Sequence, residues 1–154
     1  MLILGIDPGV RNGICLINYG TPERVPALDS WWVDVPGSVD GFLEFMLANE
    51  FSVRHADVWV IESFVPREGK HGVSDDASRV IGAALALAHV WGVKTSLRAP
   101  GGRTRQVPDR VLHNLFGKDA FVGNKDRNIK EAVRHTVGYA KAQGVKAVLE
   151  AFDG

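Results

Sequence analysis

An apolar run, Leu2-Ile3-Leu4-Gly5-Ile6, ends abruptly on Asp7-Pro8-Gly9. Apolar or small residues without polar alternation describe a strand covered on both faces, the kind found at the centre of an α/β sheet. Pro-Gly then turns the chain, so the pattern delivers the Asp7 carboxylate to the strand's tip. A carboxylate held there needs a partner, most often a divalent cation. Taken alone, Asp-Pro-Gly is also ordinary turn chemistry, so the reading depends on what else the chain brings to the same place.

A second buried run, Val58-Trp59-Val60-Ile61, ends in the same way on Glu62. Around these two, residues 2–6, 13–18 and 28–35 predict an antiparallel meander, with Gly20-Thr21-Pro22 as punctuation. Ser38 is placed to cap a helix over residues 39–51, with Asp40 in its first turn and Phe42, Leu43, Phe45, Met46 and Leu47 as its apolar face. After Glu62, residues 63–72 read as a polar loop. Ser74-Asp75-Asp76 starts a helix running to about Val90, whose Gly82, Ala83, Ala84 and Ala86 permit close approach of another backbone. Residues 93–97 form a short strand, Pro100-Gly101-Gly102 breaks the chain, and helical patterns follow over residues 105–115 and 126–142. The order implies an α/β fold: a mixed sheet with helices on its faces.

A chain of 154 residues predicts a single domain spanning residues 1–154. Nothing in it approaches the eighteen-residue apolar run of a membrane span, so no membrane partner is expected. The start lacks the basic region of a secretory leader, and the lone Cys15 excludes an internal disulfide; both fit a reducing cytoplasm. Cys15 itself, in an apolar stretch, is expected to be a small core residue. The net charge is zero but unevenly spread. Between Lys94 and Arg134 ten Lys or Arg face four acids, a local charge of +6 offset by −6 elsewhere. One basic face is what a nucleic-acid partner would require, since phosphate contacts depend on local charge, although a solvated helix surface gives the same count.

The third candidate acid is Glu131 in the last helix, with Asn128 one turn before it and His135 one turn after. At ~100° per residue, positions i, i+3 and i+7 share one stripe, so all three can face one site. Phosphodiester hydrolysis with two metals ~4 Å apart needs oxygen ligands converging from separate elements. Asp7, Glu62 and Glu131, completed by Asn128, meet that demand. His135 either orients the attacking water or scissile phosphate, or is a packed, hydrogen-bonded histidine.

At this point the chain resembles the RuvC-like Holliday-junction resolvases of the ribonuclease H-like superfamily. The residues that carry the resemblance are Gly5-Ile6-Asp7-Pro8-Gly9 with Asn12-Gly13, the strand Val60-Ile61-Glu62, Arg98-Ala99-Pro100, and Glu131-Ala132 with Arg134-His135. They span nearly the whole chain in the family's order. The resemblance implies a five-stranded mixed sheet with helices on both faces, a homodimer, two Mg²⁺ or Mn²⁺ ions per site, and paired nicking of four-way DNA junctions. It also implies an aromatic near Phe64 that wedges the crossover, a position a core phenylalanine would fill equally well. Bacterial members usually carry Asp at both last-helix positions, where this chain has Asn128 and Glu131. The Lys- and Gly-rich stretch of those members is replaced by Pro100-Gly101-Gly102-Arg103-Thr104-Arg105-Gln106-Val107, so the chain looks more like a phage-type resolvase.

Arg67, Lys70, Arg103 and Arg105 fall in loops expected beside the strand tips, and Lys125 and Arg127 flank the start of the last helix, which suits phosphate contact. Trp31, Trp32, Trp59 and Trp91 are expected as core or dimer contacts. The expectation is thus a metal-dependent, structure-selective endonuclease. The alternative is a noncatalytic module that binds branched DNA with the same fold, Asn128 marking a decayed site. An actin-like ATPase also begins with an aspartate on its first strand, but this chain is too short for two lobes and lacks a second Gly-rich phosphate turn.

Overall fold

The computed structural model describes residues 1–9, 11–20, 31–36, 38–63, 75–99, 106–121 and 127–154. Five strands make one mixed sheet: β1 (Leu2–Asp7), β2 (Arg11–Asn18), β3 (Trp31–Pro36), β4 (Val58–Glu62) and β5 (Lys94–Arg98), in the spatial order β3-β2-β1-β4-β5. The first three form the expected meander. β1 pairs antiparallel with β2 and parallel with β4, which in turn pairs parallel with β5.

Period-two alternation divides the central strands between two cores. Ile3, Cys15, Ile17, Val58 and Val60 face one side, where α4 (Asp109–Phe116), α5 (Arg127–Ala142) and α6 (Lys146–Asp153) cover them. Leu4, Ile6, Ile14, Leu16, Trp59 and Ile61 face the other, under α1 (Val39–Ala48), α2 (Glu50–Arg54) and α3 (Asp75–Trp91). Cover on both faces is why β1 and β4 read as unbroken apolar runs.

The cover on the first side is unusually close because of two glycines. A Cβ on Gly13 would stand 2.1 Å from the Asn128 carbonyl oxygen, and one on Gly5 would stand 2.7 Å from that of Ala132. Any side chain at either position would lift α5 off the sheet. The Tyr19 hydroxyl, fully buried, ties the same helix down through Thr136 Oγ1 at 2.7 Å.

Several boundaries differ from the sequence pattern. The single helix expected over residues 39–51 is two, because Asn49 donates both its backbone N–H and its Nδ2 (2.8 Å) to the Phe45 carbonyl and breaks the ladder. The helical pattern expected over residues 105–115 is interrupted: Gln106 is helical, and α4 starts at Asp109 after Pro108, whose fixed φ and missing N–H suit a helix start. α6 was not expected. Gly144, at φ 74°, closes α5, and eight residues burying only Val148 and Ala151 leave little periodicity to read. In α3, Ala77, Ala84 and Ala88 point inward, while Gly82 and Ala86 lie on the exposed side. Trp59 is fully buried, its Nε1 donating to the Val53 carbonyl at 2.9 Å, and it meets Trp91 edge-on; the side chains of Trp31 and Trp32 lie outside the description. Among the described residues no helix is long and apolar enough to cross a membrane.

Candidate metal centre

Ile6 of β1 pairs with Ile61 of β4, and one residue further each parallel strand ends on an acid, Asp7 and Glu62. Alternation turns both acids toward α5, the side that also receives Val58 and Val60. Both are buried, at 8% and 9% exposure. From α5, His135 comes down on the same point, with Nε2 3.5 Å from Glu62 Oε2. One donor atom from each of Asp7, Glu62 and His135 lies within 4.8 Å of the other two. Two carboxylate oxygens and an imidazole nitrogen, supplied by three separate elements, are a donor set a divalent cation can use.

The turn after Asp7 is fixed by a buried side chain. Asn12 Oδ1 accepts from the Gly9 N–H at 3.3 Å, and Nδ2 donates to the Pro36 carbonyl at 2.9 Å. This staples the Asp7-Pro8-Gly9 turn to the end of β3. Its signal in the sequence was only a place in the opening motif.

No family model matches the chain. The capsid protein of Olive latent virus 2 (isolate Italy) is 31% identical over 124 residues, 73% of this chain, and the chain spans 62% of that protein's length. Among solved structures, the Thermus thermophilus RuvC in complex with a Holliday junction substrate superposes at a TM-score of 0.67, with 16% identity over 94% of this chain and 97% of that one. A second Thermus thermophilus RuvC structure gives 0.64 at 19% identity, covering 94% and 98%. The fowlpox virus Holliday junction resolvase gives 0.60 at 13% identity, covering 92% and 99%. The chain has the RuvC-like resolvase fold.

On that fold, α5 carries a second polar cluster beside the first. Arg134, 6% exposed, donates Nε to the Val107 carbonyl at 3.1 Å, pairs through Nη1 with Glu131 and through Nη2 with Asp109. Lys130 Nζ reaches the other Asp109 oxygen at 2.8 Å. The Lys130 ammonium, with help from Arg134, holds the Asp109 carboxyl below its ordinary value of 3.8. Burial pushes the Cys15 thiol up to about 12, so it is a neutral core group, as expected.

The expected stripe is therefore divided between the two clusters. His135 joins Asp7 and Glu62. Glu131 lies about 40° around the helix from His135 and about 60° from Arg134, and one of its oxygens is on the arginine. Asn128 stands at the helix start with its carbonyl over Gly13. Arg127 is exposed on the first turn. Phe64, Arg67, Lys70, Arg103, Arg105 and Lys125 lie outside the described residues. Two residues that the sequence did not single out as site residues belong to this region of the resolvase fold: Arg134, and Arg98, which sits in register opposite Glu62 and whose carbonyl accepts from Ser63 N (2.8 Å) and Oγ (3.1 Å).

Proposed function

We propose that this chain is a divalent-metal-dependent, structure-selective endodeoxyribonuclease of the phage type that resolves four-way DNA junctions by paired nicks. The observation that carries the reading is the convergence of Asp7, Glu62 and His135 within 4.8 Å at the tips of two parallel strands. The resolvase fold and the basic segment between Lys94 and Arg134 support it, and the solved relative in complex with a Holliday junction supplies the substrate class.

Two hard oxygen donors and a nitrogen fit Mg²⁺ or Mn²⁺. Asp7, Glu62 and His135 would hold one ion; Glu131 and Asn128 would complete the set for a second. When bound, such ions lower the pKa of the attacking water and neutralise charge developing on the phosphate and the leaving 3′ oxygen. Asp7 and Glu62 bring the negative charge that draws the cations in, and His135 takes up or delivers a proton at Nε2 when it is not a ligand. The close seat of α5 on Gly5 and Gly13 sets the spacing of all three. Phe64, Arg67, Lys70, Arg103, Arg105, Lys125 and Arg127 are assigned to the DNA. A homodimer is part of the proposal, because resolution needs two active sites nicking opposed strands. The exposed Gly82 and Ala86 side of α3 offers a close-packing surface for it.

A noncatalytic branched-DNA-binding module is the second reading, favoured by the neutral Asn128. Incubation with labelled four-way, forked, flapped and linear DNAs, with Mg²⁺ or Mn²⁺ and with chelator, separates the two. The nuclease cuts four-way junctions only when the cation is present; the binding module retards the same DNAs and cuts none.

A further inference from the structure

A glycine in the interior of a helix weakens it, and α5 carries one at Gly138, one turn after His135. The space it leaves is occupied. A Cβ at Gly138 would lie 3.1 Å from Arg98 Nη2, closer than side chains ordinarily pack, and 3.7 Å from Val107 Cγ2. The Arg98 guanidinium thus lies against α5 at Gly138, where any side chain would have to push it aside by a few tenths of an ångström. A notch of about 20 Å³ is lined by Arg98, Gln106, Arg134, His135 and Gly138. It has room for about one water molecule, too little for a small-molecule ligand.

Arg98 differs from its neighbour Arg134 in its partners. Arg134 is saturated by Asp109, Glu131 and the Val107 carbonyl. Among the described residues no ion pair involves the Arg98 guanidinium, although it ends the strand next to Glu62 and shares its notch with His135. A half-buried guanidinium without a carboxylate is costly unless an anion arrives, and its planar donors suit phosphate oxygens. It is held in place from behind, since Ser63 grips the Arg98 carbonyl with two hydrogen bonds.

We propose that Arg98 is a catalytic residue that donates to a non-bridging phosphate oxygen of the cleaved strand at the nick, and that Gly138 is the positioning residue that keeps its berth. The assignment rests on the nuclease reading above and adds a residue to it. The acids and His135 gather the cations, and Arg98 brings positive charge to the phosphate from the β5 side.

The test is single-turnover cleavage of four-way junctions in Mn²⁺ by the wild type, Arg98→Gln, Arg98→Lys and Gly138→Ala. Each is assayed on unmodified DNA and on junctions carrying one neutral methylphosphonate at the scissile phosphate or at a flanking one. Arg98→Gln should cleave about 10²-fold more slowly on unmodified DNA while binding it within a few fold. Its deficit should vanish at one methylphosphonate position, where the contact is already lost. Arg98→Lys should recover part of the rate. Gly138→Ala should melt no lower than the wild type yet cleave several-fold more slowly, whereas a purely helical role for Gly138 predicts no loss. An Arg98→Gln deficit identical on every substrate would place Arg98's effect on Glu62 and not on DNA, and overturns the proposal; so does full activity. A wild type that cleaves no DNA removes the nuclease reading itself, and Arg98's role with it, a result distinct from both.

Discussion

His135 and Arg134 are consecutive in α5, yet they enter clusters of opposite electrostatic design. Around His135 stand Asp7 and Glu62, two buried carboxylates with donor atoms within 4.8 Å of each other and of the imidazole, where like charges repel. Around Arg134 stand Asp109, Glu131 and Lys130, two anions interleaved with two cations, where each charge is paired with one of opposite sign. The second arrangement stabilises the fold: it locks the start of α4 and the Val107 turn onto α5. The first sets two buried carboxylates side by side, a repulsion that a bound cation would relieve. Charge balance therefore separates the ion-paired cluster from the candidate metal centre on a single helix, with Glu131 between them.

The sharpest way to break this contrast is to neutralise one member on each side. Asp7→Asn should lower junction cleavage by about 10³-fold or more while melting at or slightly above the wild-type temperature, because the lost charge served a cation and opposed Glu62. Binding, carried by Lys and Arg, should stay within a few fold. Cleavage rates beside thermal melting read both. Arg134→Met should do the reverse first: a loss of about 3 kcal/mol in denaturant unfolding, since two acids and the Val107 carbonyl lose a buried donor. A stable Arg134→Met protein would mean the second cluster is not structural.

Smaller changes sharpen the comparison. Gly13→Ala drives a methyl into the Asn128 carbonyl and should cost about 2 kcal/mol. If α5 moves as a unit, it should also lower cleavage, with junction binding kept. Asp109→Asn is the mildest, below about 1 kcal/mol, because nearly half of that side chain is exposed. Its folded pKa lies below the ordinary 3.8, so the stability it contributes is complete above that value and is lost as pH falls through the depressed one. The mutant and wild-type melting curves should therefore differ at neutral pH and converge once pH has fallen through the depressed value.

How legible these clusters were follows from the range of the forces behind them. Asp7 and Glu62 could be read because a buried run ending on an acid is a local signal, and two such runs imply adjacent strand tips. The sheet followed from the same runs. His135 could be placed on the site's stripe by helical arithmetic alone. The Arg134 cluster could not, since Asp109 and Glu131 are joined through a turn whose path the sequence does not state, and the +6 count treats paired and free cations alike. Gly5, Gly13 and Gly138 were equally silent, for what makes each necessary is a backbone or guanidinium from a distant element. Asn49 and Pro108 moved helix boundaries by local competition that periodicity does not register.

The most direct test of the central claim, that Asp7, Glu62 and His135 form the metal-dependent cleavage centre, is a Mn²⁺ titration of single-turnover four-way-junction cleavage by the wild type and Glu62→Gln at equal, saturating binding. The account predicts a wild-type rate that rises from zero with Mn²⁺ and reaches a plateau, and a Glu62→Gln rate that is at least about 10²-fold lower and saturates only at higher Mn²⁺. Superimposed curves for the two proteins, or wild-type cleavage that persists in chelator, would contradict it.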